Sequence, residues 1–364
     1  ILMQLNLYFK KQSIMKKKNL SVKKKIHNFY SKKLNDPRIK SIYLNFKKKL
    51  ASHITNSFCV AVSGGVDSMA LSFLAKCYSW ENNKKVYFFI VDHKLRNNST
   101  SEAKLVKKKL QEFQISSKIL TIKKINKTKN LQSFARDNRY KLIINQSLTR
   151  KIDMILTAHH KDDLIENFFI RLLRGSGLKG LISFSNTKSK VKFDDKIFIL
   201  RPLIDIPKKD LVYISKNTFN FYVDDPSNFD EKFLRAKVRN LIFNLEEEGL
   251  TFKKFKLSMN NLSKSNIAID YYVQKNINEN SNYLKLTNSI ILKDDFLKQP
   301  DEIVFRSFSE LIQKIGKKET FARGAKVDNL LKFLRSTNNY SKKTLSGCII
   351  QKFENSVIIF SENR

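Results

Sequence analysis

The stretch Ser-Gly-Gly-Val-Asp-Ser at residues 63–68 constrains the fold of this chain more than any other feature. It follows an apolar run at 58–62 and precedes a segment, 69–75, whose apolar residues have helical spacing. This order predicts a buried strand, a tight loop that needs its glycines, and a helix. By itself, the pattern is also compatible with an ordinary turn between a strand and a helix.

The same six residues are suited to binding a phosphate group. N–H groups at the start of a helix lack intrahelical acceptors, and the helix dipole there favours an anion. Ser63 and Ser68 add hydroxyl donors, and the glycines let the main chain come close to the phosphate. Asp67 would repel a phosphate unless a divalent cation lay between them, so we predict that Asp67 contacts Mg²⁺.

Apolar runs and helical segments alternate over the first part of the chain. The apolar runs are 58–62, 86–91, 118–122 and 154–158, and the helical segments between them are 68–79, 99–114 and 130–148. Nearly continuous apolar strands separated by helices predict a parallel sheet that is covered on both faces. Ser99 and Glu102 have the spacing of a capping box. In such a fold, ligands bind beyond the carboxyl ends of the strands.

Rare residue types are concentrated at that predicted edge of the sheet. Three of the five histidines, His93, His159 and His160, come just after predicted strands. Gly64 and Gly65, two of only nine glycines, follow the first strand. Chance explains the place of one such residue more easily than the place of all of them, so this edge is the predicted site.

A helix predicted near 162–173 begins with acidic residues and ends with basic ones. Asp163 and Glu166 share one face of this helix, and Arg171 and Arg174 follow on later turns. Acids in the first turn are compatible with simple helix capping, but capping does not explain the paired histidines before them. Zinc is disfavoured because these histidines are adjacent and not four apart. A nucleotide-binding or catalytic role is the favoured interpretation.

The composition points to a polyanionic partner. The chain has 70 Lys and Arg residues against 33 Asp and Glu residues, a formal net charge of +37. Lys and Arg contacts to phosphates release counterions, so this excess predicts a nucleic-acid partner, although codon bias is an alternative source of part of it. The three cysteines form no Cys-x-x-Cys pair, which favours a reducing compartment. No run of about 18 apolar residues is present, so we expect no membrane span.

Six segments together carry a resemblance to a known family. They are SGGVDS (63–68), VDHKLR (91–96), LQSFARDNRY (131–140), TAHHKDDLIENFFIRLLRGSGLKGL (157–181), RPL (201–203) and VDDPSN (223–228). The first matches the SGGxDS loop of the N-type ATP pyrophosphatases, the PP-loop superfamily. The whole set resembles the tRNA(Ile)-lysidine synthase family and covers roughly 58–245. Ala236 departs from the family pattern, which usually has Asn at that position.

The resemblance implies a ligase that uses ATP and Mg²⁺ to modify a tRNA. In this family, ATP adenylates the C2 oxygen of cytidine 34, the wobble base of the isoleucine tRNA with the anticodon CAU. The ε-amine of free L-lysine then displaces AMP and forms lysidine, which changes codon reading from AUG to AUA. We expect a cytoplasmic enzyme, with a plastid stroma as the alternative.

The resemblance also implies roles for the residues at the predicted sheet edge. Asp67, His159 and Asp163 are the predicted catalytic residues, with Asp67 as the Mg²⁺ contact and one of the other two as the acceptor of the lysine proton. The predicted ATP contacts are Ser63, Gly64, Gly65, Val66, Asp67, Ser68, His93 and Arg96. The predicted contacts to lysine or cytidine are His160, Glu166, Arg171, Arg174 and Arg201.

The fold class implied is α/β, a Rossmann-like PP-loop nucleotide-binding domain with a parallel sheet, followed by a smaller α+β domain. The predicted regions are a basic extension at 1–50, the catalytic domain at 51–249, a helical linker at 250–300 and a tRNA-recognition domain at 301–364. Within the last region, 345–350 and 356–360 have the pattern of a closing hairpin. The basic extension is interpreted as a solvated arm, with RNA contact or organellar transit as alternatives.

Three rival functions make different demands on the sequence. A tRNA thiolase on the same fold would need a reactive cysteine pair or cluster ligands, and the dispersed cysteines do not supply them. An amide-forming ligase for a small molecule does not account for the charge of +37. A non-catalytic RNA-binding protein would retain RNA without turning over ATP, yet the loop at 63–68 is intact.

Overall fold

The computed structural model describes two compact units of the chain. The residues described are 28–54, 56–94, 98–122, 131–184, 187–191, 194–223, 229–318, 321–336 and 342–362. The first unit comprises the described parts of 1–176 and 183–249, and the second those of 177–182 and 250–364. No helix in these ranges is long and apolar enough to cross a lipid bilayer.

The helices and strands are numbered in chain order. The strands are β1 (Ser57–Val62), β2 (Lys85–Asp92), β3 (Ser117–Thr121), β4 (Met154–Leu156), β5 (Lys188–Val191), β6 (Asp194–Leu200), β7 (Ser281–Leu284), β8 (Ser289–Leu292), β9 (Lys342–Leu345), β10 (Cys348–Phe353) and β11 (Ser356–Ser361). The helices are α1 (Pro37–Ala51), α2 (Val66–Glu81), α3 (Ser99–Glu112), α4 (Leu131–Leu148), α5 (Lys161–Leu173), α6 (Leu178–Ile182), α7 (Lys208–Thr218), α8 (Phe229–Glu247), α9 (Phe252–Asn280), α10 (Asp294–Leu297), α11 (Asp301–Ile315) and α12 (Gly324–Ser336).

The sheet of the first unit confirms the predicted α/β fold. Its strand order is β3-β2-β1-β4-β6-β5, and every neighbouring pair is parallel except β5 with β6. Phe58 and Val60 of β1 belong to one buried cluster, and Cys59 between them belongs to another. Since alternate residues of a strand point to opposite faces, both faces of the sheet are covered.

The strand order creates a crevice at the carboxyl edge of this sheet. β1 has β2 on one side and β4 on the other, so the chain leaves the two neighbouring strands β1 and β4 in opposite directions across the sheet. The loop at 63–68 follows β1, and residues 157–160 follow β4. A crevice at such a switch point is where open α/β sheets bind ligands.

Helix α1 belongs to the core of the first unit, which differs from the solvated arm expected for residues 1–50. Its apolar face is buried through Ile39, Ile42, Tyr43, Phe46 and Leu50. These residues recur every three or four positions among the lysines, so the basic side chains lie on the opposite face. The expectations for residues 1–27 fall outside the described part of the chain.

The capping box predicted at Ser99 and Glu102 is wrong. Asn98 is the N-cap of α3, and its side chain makes no capping hydrogen bond. The Ser99 hydroxyl instead donates to Asp92 Oδ1 at 2.8 Å, and the Thr100 hydroxyl donates to Asp92 Oδ2 at 2.7 Å. Asp92 is buried at the end of β2, and these two hydroxyls supply the hydrogen bonds that its carboxylate needs there. The spacing of the sequence did not reveal these contacts.

The second unit contains an antiparallel sheet with the order β7-β8-β11-β10-β9. β10 and β11 form the predicted closing hairpin around Glu354 and Asn355. Helix α9, expected to be a linker, buries Phe255, Met259 and Val273. The buried Arg306 of α11 donates to Asn266 Oδ1 of α9 at 2.6 Å, so α9 is joined to this unit by polar contacts as well.

Replacing Phe46 tests whether α1 is part of the core. Phe46→Ala removes a fully buried ring, and we expect the free energy of unfolding to fall by about 3–5 kcal/mol. Leu44→Ala is the matched control, because Leu44 lies on the same helix and is 54% exposed. Urea unfolding followed by the fluorescence of the one tryptophan, Trp80, measures both changes. Equal stabilities for the two variants would contradict the packing of α1.

Candidate active site

The conformation of the loop after β1 is held by hydrogen bonds to the hydroxyl of Ser68, a buried residue. Ser68 Oγ accepts the N–H groups of Ser63 at 3.2 Å and Gly64 at 3.0 Å, and it donates to the Gly65 carbonyl at 3.0 Å. Two N–H groups of the loop, which lies in the predicted phosphate site, are therefore engaged within the loop itself. Ser68 therefore fixes the conformation of the loop, and the predicted contact of Ser68 with ATP stays a prediction.

The remaining donors lie at the start of α2. Gly65 is the N-cap, with φ −70° and ψ 163°, and it provides no side-chain cap. The first N–H groups of a helix have no intrahelical acceptor, so those at Val66 and Asp67 are suited to an anion. Ser63 is exposed on the loop, and its hydroxyl donates to Ser68 Oγ at 3.2 Å.

Gly64 cannot be replaced without strain. Its φ of +88° lies in the left-handed region, and a Cβ built on it would come within 2.5 Å of Val106 Cγ2. The Gly64 carbonyl accepts the N–H of Val223 at 3.0 Å. Both α3 and the segment after α7 thus pack directly on the loop.

Asp67 and His160 meet across the crevice. The Asp67 side chain is 30% exposed, but its Oδ1 is buried and has no hydrogen-bond partner among the described residues. Its Oδ2 lies 3.7 Å from His160 Nε2. His160 is the buried N-cap of α5, and its Nδ1 accepts the N–H of Asp162 at 3.2 Å. Nε2 faces Asp67 and Asp163, while Nδ1 also lies 3.3 Å from Asp162 Oδ2 and would donate to it when the ring is protonated.

Asp163 completes this arrangement from the first turn of α5. Its Oδ2 accepts the His160 backbone N–H at 3.1 Å, which closes a reciprocal capping box, and it lies 3.4 Å from His160 Nε2. The buried position of His160 favours a role in holding Asp67 and Asp163 over the predicted contact with lysine or cytidine.

Burial and charge act against each other at this cluster. Burial raises the pKa of Asp67 above its usual value, although the nearby His160 opposes this shift. Burial lowers the pKa of His160, but the contact with Asp162 and the charges of Asp163 and Asp67 outweigh it, so the pKa is raised. Burial raises the pKa of Asp162, but hydrogen bonds from His160 and the Lys208 N–H lower it to about 2.

The residues present fit a divalent cation that is shared with phosphates. No group of three or more His, Cys, Asp and Glu residues in the described ranges could hold a metal ion. Mg²⁺ usually keeps several waters and takes one or two carboxylates together with substrate phosphates. The partnerless Oδ1 of Asp67, next to the start of α2, meets this requirement.

His159 lies at the same edge, against an aromatic wall. Thr157 Oγ1 is 2.9 Å from its Nδ1, and its ring meets Phe184 edge-on at 4.8 Å between centroids. The guanidinium of Arg201 lies 5.0 Å from the centre of the Phe184 ring and donates to Ser189 Oγ at 2.9 Å. Arg201 is only 8% exposed, so it supports the wall of the site.

Glu166 has a partner that the sequence did not identify. Its buried carboxylate accepts from Arg239 Nε of α8 at 2.6 Å, and this hydrogen bond raises the pKa of the guanidinium. The predicted contact of Glu166 with the lysine ammonium would therefore compete with Arg239. The two residues are 73 positions apart in sequence, so sequence spacing did not reveal the pair.

The other predicted site residues are distributed more widely. His93 Nε2 lies 2.7 Å from Arg139 Nη2, and Arg96 falls outside the described residues. Arg171 Nε donates to Asn167 Oδ1 at 2.7 Å, and Arg174 is exposed at the end of α5. Arg174 comes eleven positions after Asp163, which is about 16 Å along a helix, so α5 does not bring the two together.

Replacing Gly64 tests the geometry of the loop. We expect Gly64→Ala to lower the free energy of unfolding by at least about 2 kcal/mol, because the new methyl group meets Val106 and the backbone is strained. Gly65→Ala is the matched control, since its Cβ would have its nearest neighbour at 3.7 Å, and we expect a change below about 1 kcal/mol. Urea unfolding measures both; a fully stable Gly64→Ala variant would refute this loop conformation.

The titration of His160 tests the contact with the carboxylates. Because its pKa is raised in the folded chain, the interaction stabilises the fold below about pH 6.5 and is lost as the pH rises through the folded pKa. We expect Asp163→Asn to lower the His160 pKa, measured by NMR of the ring Cε1–H signals. The signal is assigned with His160→Gln, and that of His53 serves as the internal control. An unchanged His160 pKa would exclude the charge interaction.

Comparison with known proteins agrees with this geometry. A family model described as a PP-loop domain matches residues 38–246. The chain is 31% identical over 331 residues to the tRNA(Ile)-lysidine synthase of Rickettsia typhi, with 88% of this chain and 74% of the relative covered. It is 32% identical over 317 residues to that of Orientia tsutsugamushi, with 83% and 69% covered.

One solved structure shares the fold at low sequence identity. It is the U34-tRNA thiolase NcsA from Methanococcus maripaludis, with 20% identity, a TM-score of 0.53, and coverage of 62% of this chain and 78% of that one. Identity at that level supports the fold alone. The matched PP-loop model and the identity to the curated ligases over most of their length carry the assignment: this chain belongs to the tRNA(Ile)-lysidine synthase family of PP-loop enzymes.

Proposed function

We propose that this chain ligates lysine to C2 of cytidine 34 in the isoleucine tRNA with the anticodon CAU, using ATP. The observation that carries the proposal is the crevice between β1 and β4. It combines the loop at 63–68, the carboxylate of Asp67, whose Oδ1 has no hydrogen-bond partner among the described residues, and a second carboxylate at the start of α5. Relatives named for this activity match across most of the chain.

In the first step, the C2 oxygen of the cytidine attacks the α-phosphorus of ATP, and the bond to pyrophosphate breaks. The N–H groups at the start of α2 and the Ser63 hydroxyl would bind the phosphates and stabilise the charge on the leaving group. Bound Mg²⁺ would neutralise phosphate charge beside Asp67. We propose that His93 and Arg96 contact the adenosine part of ATP.

In the second step, the lysine ε-amine forms the new bond to C2 as the C2–O bond to AMP breaks. The ammonium must first lose a proton. Asp163 is suited to hold or accept this proton, because its contacts with His160 fix its carboxylate at the crevice. His159, oriented by Thr157, is the second candidate for the acceptor. Arg171, Arg174 and Arg201 remain proposals for contacts to phosphate or cytidine.

The second unit is proposed to recognise the tRNA. Arg323 and Lys326, next to the start of α12, are candidate contacts to its backbone. Thr320, which precedes them in the sequence, lies outside the described residues. The reaction requires tRNA and ATP in one compartment, so we propose the cytoplasm, with a plastid stroma as the alternative.

The state of the cysteines argues against the rival thiolase function. Cys59, Cys77 and Cys348 are the three cysteines of the chain, and all are buried. Burial raises the pKa of Cys59 to about 12 and that of Cys348 to about 11, and it also raises that of Cys77. A cysteine acts as a nucleophile when its sulfur is accessible and the pKa of its thiol is low, and these three cysteines meet neither condition.

Labelled lysine tests the proposed reaction directly. Full-length protein is incubated with the CAU-anticodon isoleucine tRNA, ATP, Mg²⁺ and labelled lysine. We expect label on this tRNA and none on a methionine tRNA with the same anticodon. ATP-dependent thiolation without lysine transfer would support the rival function, and RNA retention without ATP turnover would support a non-catalytic one.

Asp67→Asn tests the role of the buried carboxylate. We expect pyrophosphate release to fall by more than about 100-fold, because a metal contact at the phosphates stabilises the transition state by several kcal/mol. Asp210→Asn is the control, since Asp210 pairs with Arg38 at the surface of the same unit. Wild-type rates of pyrophosphate release in Asp67→Asn would exclude Asp67 as the metal contact.

A further inference from the structure

We propose that the first unit has a second phosphate-binding site, which takes a backbone phosphate of the RNA substrate outside the nucleotide crevice. The site is a polar cavity between the end of α1 and the segment before β5. The inference rests on the proposed function for the identity of the RNA, but the cavity and its chemistry are independent of the loop at 63–68.

Polar side chains from two parts of the chain line this cavity. It has a volume of about 400 Å³, and its lining residues are Asn45, Lys48, Lys49, Ser52, His53 and Thr187. Together they offer two ammonium groups, two hydroxyls, an amide and an imidazole, and no carboxylate is among them. Multiple hydrogen-bond donors around a positive charge are what a phosphate requires.

The two lysines of the cavity differ in what they contact. Lys49 Nζ donates to the Pro202 carbonyl at 3.1 Å and pairs with Asp205 at 2.9 Å, so it is fixed in place and its charge is partly balanced. Lys48 is exposed at the preceding position of α1. Its ammonium can reach an incoming phosphate at the cost of little reorganisation.

The field at His53 is positive. Burial lowers the pKa of His53, and the charge of Lys188 on β5 lowers it further. Among the described residues, the charged groups around it are Lys48 and Lys49 of α1, Lys188 of β5, and Asp205, which is paired with Lys49. A phosphate in the cavity would bring negative charge beside the imidazole and would raise its pKa.

The position of the cavity favours an RNA backbone as the source of the phosphate. Its Thr187 wall adjoins the carboxyl end of β6, where the Thr187 carbonyl accepts the N–H of Arg201 at 2.7 Å. β6 pairs with β4, whose carboxyl end leads to His159 at the crevice. Strands lie about 4.8 Å apart, so this wall is about 10–15 Å from the crevice, within reach of one RNA strand with its target base bound there.

The affinity of the full-length protein for the CAU-anticodon tRNA tests the site. We expect Lys48→Ala to weaken binding by about 3- to 10-fold and to reduce the slope of log Kd against log salt by about 0.7–1, as one lost phosphate contact would. Lys40→Ala is the matched control, because Lys40 is exposed on the same helix, carries the same charge and does not line the cavity. Equal affinities and slopes for the two variants would overturn the proposal.

The His53 ring signal identifies the source of the phosphate. Its NMR titration is recorded with an RNA anticodon stem-loop and, separately, with inorganic phosphate, and it is assigned with His53→Gln. We expect the stem-loop to raise the His53 pKa in the wild type and to raise it less in Lys48→Ala. A response to inorganic phosphate alone, with none to the stem-loop, would overturn the assignment to RNA.

Different results would contradict the proposed function and the second phosphate site. A wild-type protein that neither binds nor modifies this tRNA would contradict the proposed function, and this inference with it. A wild-type protein that transfers lysine, while Lys48→Ala and Lys40→Ala bind the tRNA equally, would contradict only the second phosphate site.

Discussion

The contact between Asp67 and His160 holds the two sides of the crevice together. Asp67 belongs to the loop after β1, and His160 to the start of α5 after β4, so their 3.7 Å approach links the ends of two neighbouring strands. Burial makes each charge costly alone, but opposite charges stabilise one another in a site of low dielectric. Removing His160 would leave Asp67 beside Asp162 and Asp163 without this opposite charge, whereas His160 would keep its contacts with Asp162 and Asp163 if Asp67 were removed.

The start of helix α5, which His160 caps, also contacts two other helices of the first unit. Its first turn binds His160 through the capping box, and Asp162 Oδ2 accepts the N–H of Lys208 at 2.7 Å, which fixes the start of α7. One turn later, Glu166 binds Arg239 of α8 at 2.6 Å. The acidic end of α5 therefore positions α7 and α8, and the same end holds the Asp163 carboxylate at the crevice.

The sequence predicted the parts of this structure that depend on local pattern. Strands β1 to β4 coincide with the predicted apolar runs, and the loop needs Gly64 because of its positive φ. Strands β5 and β6 were not predicted, because β5 is short and rich in Lys and Ser and β6 begins with Asp-Asp-Lys. The contact of Ser99 with Asp92 and the pair of Glu166 with Arg239 depend on tertiary proximity, which spacing does not show. The place of α1 in the core was not predicted, because its many lysines are more conspicuous in the sequence than the apolar residues that recur on its other face.

A crystal structure with a non-hydrolysable ATP analogue and Mn²⁺ tests the central claim most directly. Anomalous scattering locates the metal independently of where the nucleotide is placed. The account predicts phosphates at the start of α2 and a manganese peak in direct contact with the Asp67 carboxylate. A nucleotide bound away from the β1–β4 crevice, or a metal that touches its phosphates but not Asp67, would contradict it.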